Sequence, residues 1–275
     1  MEAAIDWLRA KGLSKAAKKA GRVAAEGLVG IASGAAKGAV VEVNSETDFV
    51  ARNDAFQDLV SQVALLGLES GGDVEKLKQM AYPGAGNTVA GQITSLVGTV
   101  GENMTLRRCA FLTANPGVVA TYMHNQVKAG LGKIGVLVAL KSSGDHGKLE
   151  AFGRQVAMHV AAANPLALTD EQVDADVVAR ERAIFVEQAK ASGKPDAVVQ
   201  KMVDGRIRKF YEEVVLLKQA FIINPDVTVQ GAADALAKEL GTPVQITGFV
   251  RFGLGDGIQK EESDFAAEVQ KAAQG

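Results

Sequence analysis

Ala39-Val-Val-Glu-Val-Asn-Ser-Glu-Thr-Asp-Phe-Val-Ala51 changes character twice. Residues 39–43 form an apolar, β-branched run of the kind that suits a strand. Asn44, Ser45 and Glu46 end it, and a helix signal starts at Asn53-Asp54. Thr47-Asp-Phe-Val50 therefore reads as a turn between a strand and a helix. Thr47 suits an N-cap, and Asp48 suits the first turn of a short helix, where its carboxylate meets orphan N–H groups. On residue type alone, Phe49 folds back as a core plug, the usual fate of a phenylalanine.

Working outward, residues 23–33 and 38–44 read as two strands joined by Gly34-Ala-Ala-Lys37, a hairpin. Before them, residues 3–20 read as an Ala-rich helix whose Lys11, Lys15, Lys18, Lys19 and Arg22 make a solvated basic face. After the turn, Phe56, Leu59, Val60, Val63 and Leu66 recur at helical spacing, with Asn53 or Asp54 as cap. A second helix is expected over 69–86. A loop through Gly84, Gly86 and Gly91 follows, and then a strand at 109–113 behind Arg107-Arg108.

The same order of elements recurs. A shift of 96 residues lays Lys37-Gly-Ala-Val-Val41 on Lys133-Ile-Gly-Val-Leu137, Ala55-Phe56 on Ala151-Phe152, Val60 on Val156 and Val23-Ala24 on Val119-Ala120. A small sheet with one apolar face needs a helix to cover it. The fold expected is α+β: two similar subdomains, each a small antiparallel sheet covered by helices, plus a projecting antiparallel helical hairpin. The expected boundaries are a remnant N-terminal helix and linker (1–22), subdomain N (23–117), subdomain C (118–167 and 217–252), the hairpin insert (168–216) and a C-terminal helical module (253–275). In the insert, Thr169-Asp-Glu-Gln172 reads as a capping box and Pro195 starts the second helix. Its seam is expected to set Val173, Val177 and Ile184 against Val199, Met202 and Ile207. Residues 244–252 alternate as a strand, and Ser263-Asp-Phe-Ala266 opens a final helix. The Thr-Asp-Phe turn has no counterpart in the second copy, where Ser143-Gly-Asp145 stands instead.

Composition narrows the chemistry. The chain has 275 residues, 47% apolar and 23% charged, as expected of a soluble globular protein. The near balance of 30 Lys and Arg with 32 Asp and Glu gives no global field for nucleic acid or membrane. The single cysteine, Cys109, excludes an intramolecular disulfide and fits a buried thiol in a reducing compartment. No run approaches the ~18 apolar residues of a membrane span. A cytoplasmic protein with no membrane contact is expected. His124, His146 and His159 lack metal-ligand spacing, so neither metal nor cofactor is expected. Gly130-Leu-Gly-Lys-Ile-Gly135 matches a dinucleotide fingerprint, but it precedes a strand where that motif must follow one and open a helix. A cofactor-dependent oxidoreductase built on it is the rival reading, and a structural dimerisation protein built on the hairpin is a second. Arg206-Ile-Arg-Lys-Phe-Tyr211 is the one basic-aromatic run, and on a charged helix it reads as solvated, so no direct nucleic-acid contact is expected.

Asn44-x-x-Thr-Asp-Phe-Val-Ala51 resembles the signature of elongation factor Ts. The resemblance extends through Lys15-Ala-Ala-Lys-Lys-Ala-Gly21, Gly101-Glu-Asn103 with Arg107-Arg108, Tyr122-Met-His124, Ala157-Met-His-Val-Ala-Ala162 and Gly248-Phe-Val-Arg-Phe252. It implies a guanine-nucleotide exchange factor for the GTPase elongation factor Tu, which makes or breaks no covalent bond. It implies partner contacts at Thr47, Asp48, Phe49 and Val50, with Asp48 and Phe49 as a wedge near the magnesium and phosphates of GDP. It also places Gly101 and His124 at that interface and gives residues 168–216 a role in homodimerisation. The family's N-terminal helical domain, with its Thr-Gly-Ala-Gly-Met motif, has no match, so most of that domain is expected to be missing and binding correspondingly weaker.

Overall fold

The computed structural model describes residues 12–259, apart from 13, 15, 35 and 192. The expected helix at 263 and most of the helix at 3–20 lie outside the described residues; residues 16–19 are helical. In chain order the elements begin with β1 (Glu26–Gly34), β2 (Lys37–Ser45), α1 (Asp54–Ser70), α2 (Val74–Gln79), α3 (Val89–Val100) and β3 (Met104–Thr113). Next come β4 (Gly117–His124), β5 (Leu131–Gly132), β6 (Ile134–Lys141) and α4 (His146–Ala163). The hairpin helices are α5 (Ala175–Lys190) and α6 (Asp196–Val214); β7 (Ala220–Phe221), β8 (Asn224–Thr228), α7 (Val229–Leu240) and β9 (Gln245–Gly253) close the chain. One antiparallel sheet has the order β3-β2-β1-β5, the other β4-β6-β9, and β7-β8 is a small ribbon.

The α+β expectation holds, with one addition. The sheets are not merely each covered by a helix; they also pack against each other. Along β1 and β2, Leu28, Val41 and Val43 face α1, where they meet Phe56, Leu59, Val60 and Val63. Val29 and Val40 point the other way and meet Val119, Leu137, Ala139 and Phe252 of the second sheet. In β6, Val136, Val138 and Leu140 face Leu149, Phe152, Val156 and Val160 of α4. Alternation along each strand therefore feeds two cores, a helix-facing one and a shared one. This explains why β2 is buried at every position from Gly38 to Ser45 and does not alternate apolar with polar over residues 39–41. Each fully buried aliphatic side chain here contributes roughly 1.5–3 kcal/mol. The close approach needs Gly135: a Cβ there would stand 2.6 Å from Val29 Cγ1. Gly132 and Gly135 lie within β5 and β6, and Gly130 precedes β5 at φ +73°, so these glycines serve a turn and close strand packing and open no helix.

The internal repeat is real for the middle strands and the helices that follow them, β2-α1 and β6-α4. Each middle strand even carries a register shift at nearly the same place, at Glu42/Val43 and at Ala139/Leu140. It fails at the first strands. Val119 lies in β4, but Val23 precedes β1 and is 48% exposed. A tight turn joins β1 to β2, whereas the β4–β6 connection carries β5, so the copies slip relative to each other.

Other expectations need correction. The helix expected over 69–86 is interrupted: α1 stops at Gly71, which takes φ +71°, and Asp73 caps the short α2 by accepting from the Glu75 and Lys76 amides. Gly91 belongs to α3, not to a loop. Thr169 makes no side-chain cap, residues 170–172 form only a 3₁₀ turn, and α5 starts at Ala175 under an Asp174 cap. Gln172 does reach back, but its Oε1 accepts from the Leu168 amide at 3.1 Å. The expected Val199, Met202 and Ile207 do lie in the hairpin seam, but they pack with Ala189, Val203, Phe185 and Val186; Ile184 is exposed, and Val173 packs instead with Ala167 and Val215 at the hairpin's base.

Candidate functional site

Phe49 is 73% exposed, the highest value among the exposed large apolar residues described. The core-plug reading fails because its neighbours already fill the core. Val50 and Ala51 are buried in the α1-facing cluster, and Phe56 occupies its centre. The backbone at 48–53 is a tight 3₁₀ turn. The Ala51, Arg52 and Asn53 amides donate to the Asp48, Phe49 and Val50 carbonyls at 3.2, 3.1 and 2.9 Å. Asn53 Oδ1 then caps α1 by accepting from the Phe56 amide at 3.1 Å. Phe49 has helical dihedrals (φ −62°, ψ −35°), so its backbone is unstrained. The aromatic ring is thus held out into solvent by a turn anchored on its far side.

The near side is anchored by the α3–β3 connection. The Thr47 amide donates to Glu102 Oε2 at 2.9 Å, and Thr47 Oγ1 donates to Glu102 Oε1 at 2.7 Å. In return the Asn103 amide donates to Glu46 Oε1 at 2.6 Å. Arg22 pairs with Glu46 at 3.1 Å, and Asn103 Nδ2 donates to the Arg22 carbonyl at 2.7 Å. Ser45 Oγ donates to the Thr47 carbonyl at 2.9 Å. Thr47 therefore caps nothing; its hydroxyl is committed to Glu102. This corrects its reading as an N-cap. Val50 faces inward and serves as an anchor for the turn.

Gly101 ends α3 in a left-handed conformation (φ +85°), and a Cβ there would meet nothing within 4 Å. Glu102 links it directly to the Phe49 turn. His124 stands apart on the second sheet, at the exposed end of β4. Its Nδ1 lies 3.1 Å from Tyr122 Oη, and its carbonyl accepts from the Lys133 amide at 3.1 Å. The structure thus brings Thr47, Asp48, Phe49 and Gly101 together and does not join His124 to them by a contact. Glu46 is the residue that reading the sequence missed as part of the site; Glu102 and Asn103 lie in the Gly101-Glu-Asn103 stretch of the resemblance, from which only Gly101 was singled out. Glu102 and Thr47 are 55 residues apart, and the only local signal is an acid directly after a helix-ending glycine.

Behind the site, Glu42 is a fully buried carboxylate in the middle of β2. It pairs with Arg107 at 3.1 Å and with Arg108 Nε, and it accepts from Asn44 Nδ2 and the Gly255 amide, each at 2.9 Å. Arg108 also donates to the Gly253 carbonyl and covers the Phe252 ring at 4.1 Å. The cluster ties the strand that carries the site to the end of β9. Elsewhere, His159 is buried; its Nδ1 accepts from the Ile222 amide, so its Nε2 carries the proton toward Gln219 Oε1 at 2.8 Å. Burial holds its pKa below the usual imidazole value, with the Gln219 bond opposing. Burial also raises the Cys109 thiol, consistent with a packed rather than a nucleophilic cysteine. Among the described residues, no cluster of three metal-ligating side chains occurs, and no helix is long and apolar enough to cross a membrane.

Residues 46–256 match the family model described as elongation factor TS. The chain is 60% identical over its whole length to elongation factor Ts of Sinorhizobium medicae, covering 90% of that protein. It is 59% identical to elongation factor Ts of Parvibaculum lavamentivorans and 60% to that of Agrobacterium fabrum, in each case over the whole chain and 89% of the relative.

Proposed function

The chain belongs to the elongation factor Ts family and acts as a nucleotide-exchange factor for elongation factor Tu, and on that premise we propose that Phe49 and Asp48 are the wedge that loosens GDP. The observation that carries this assignment is an aromatic ring 73% exposed on a turn anchored from both sides. Leaving such a ring in water is unfavourable, and burying it against a partner recovers the difference. A phenylalanine buries ~150–250 Å², worth on the order of 3 kcal/mol if most of that area is recovered. This corresponds to about two decades in affinity or rate. Asp48 is exposed beside it and brings a negative charge to a region where the GTPase holds phosphates and magnesium. Gly101 lies on the same anchored unit as Phe49 and extends the contact, while His124 contributes from the second sheet. No bond is made or broken by this chain; it shifts the balance between nucleotide-bound and nucleotide-free partner.

Exchange of this kind is reciprocal. If the chain weakens GDP binding by a given factor, GDP must weaken binding of the chain by the same factor. The test is calorimetric titration of elongation factor Tu with the chain, with and without GDP. Wild type should lose affinity when GDP is present, and Phe49→Ala should lose most of that difference. An equal GDP effect on both proteins would remove Phe49 from the coupling.

A further inference from the structure

Phe49 has no side-chain tether of its own; its direction is set by backbone held at Thr47 and by the buried Val50 and Ala51. The hold at Thr47 is a reciprocal exchange of carboxylates. Glu102, from the α3–β3 connection, takes the Thr47 amide and hydroxyl, while Glu46, from the Phe49 turn, takes the Asn103 amide. Hydrogen bonds to an ionised acceptor at 2.6–2.9 Å are short, charge-assisted bonds, roughly twice as strong as neutral ones. Each carboxylate is thus bonded to donors on the opposite segment, and Arg22 also pairs with Glu46. Three part-buried bonds between segments 55 and 57 residues apart fix the geometry of the turn.

We propose that Glu102 is a positioning residue for nucleotide exchange, acting through Thr47 to aim Phe49 and to join the Phe49 turn and Gly101 into one rigid docking unit. This rests on the wedge reading of Phe49. Without Glu102 the turn keeps its inner anchors and the Ser45 and Glu46 bonds, but the Thr47 amide and hydroxyl lose their acceptor. Backbone freedom at 46–49 then has to be lost when the partner binds, which slows the step in which the ring enters.

The experiment measures the maximal rate of GDP release from elongation factor Tu at saturating chain, for wild type, Glu102→Ala, Glu102→Gln, Phe49→Ala and the Phe49→Ala/Glu102→Ala pair. Hydrogen exchange of the Thr47 amide in the free chain is followed alongside. Glu102→Ala should slow release about tenfold or more and unprotect the Thr47 amide. Glu102→Gln keeps one oxygen for that amide and should stay within about threefold of wild type. In the Phe49→Ala background, Glu102→Ala should slow release far less than it does in wild type, because most of its action passes through the ring. A wild-type rate for Glu102→Ala, with Phe49→Ala slow, would overturn the positioning role alone. So would an equal slowing by Glu102→Ala with and without the ring, the mark of a general structural defect. A wild-type rate for Phe49→Ala would overturn the wedge reading and the positioning role together.

Discussion

Glu42→Gln tests whether the buried carboxylate fixes the strand that presents the site. The substitution keeps the shape and removes the charge. Five polar contacts converge on Glu42: Arg107 to both oxygens, Arg108, Asn44 and the Gly255 amide. All of these partners are donors, so a glutamine amide must place an NH₂ against at least one of them. Breaking a buried ion pair by removing one partner costs about 3–5 kcal/mol. Both arginine side chains are about 30% exposed and regain some hydration, which favours the lower end, about 3 kcal/mol. With an m-value of about 3 kcal/mol per molar urea, the unfolding midpoint should fall by about 1 M. The Gly255 amide should exchange faster in the variant, because its acceptor is Glu42 Oε1. A midpoint shift below about 0.3 M, less than 1 kcal/mol by the same slope, would refute the reasoning. It would mean that the two sheets hold β2 by apolar packing alone.

Gly101→Ala places a side chain at φ +85° in open space, so the cost is conformational only, about 1 kcal/mol, read as a small fall in melting temperature without loss of fold. His159 gives a pH dependence of known sign. Its folded pKa lies below the unfolded value of about 6.5, so the unfolded chain takes up the proton first. Its contribution to stability is complete above that unfolded value and is lost as pH falls from there toward the folded pKa. Urea midpoints of wild type and His159→Gln, compared from pH 7.5 downward, should diverge at neutral pH and converge in acid; parallel curves would contradict this assignment.

The strand, the turn and α1 were legible in residues 39–66, because β-branched runs, turn residues and helical spacing are local signals. The stacking of the sheets was not read. The consecutive apolar residues Ala39, Val40 and Val41 carried that information, since a strand with one wet face would alternate. The helix expected over 69–86 failed at Gly71-Gly72, where a left-handed stop outweighs the periodicity. Residue type alone pointed Phe49 inward; its exposure follows from Val50 and Phe56 already filling the core, which is a property of packing. Glu42 was readable as a charge within an apolar run, but its partners lie 65 and 66 residues away, so the pairing was not. The Glu102–Thr47 clamp was hidden for the same reason.

The most direct measurement is stopped-flow release of fluorescent GDP from elongation factor Tu over a range of chain concentrations, with wild type and Phe49→Ala side by side. The account predicts that wild type accelerates release to a plateau. It predicts that Phe49→Ala, with unchanged far-ultraviolet circular dichroism and urea midpoint, gives a plateau lower by about two decades, as on the order of 3 kcal/mol of burial requires. Equal plateaus for the two proteins would contradict it, placing the exchange activity somewhere other than the exposed ring.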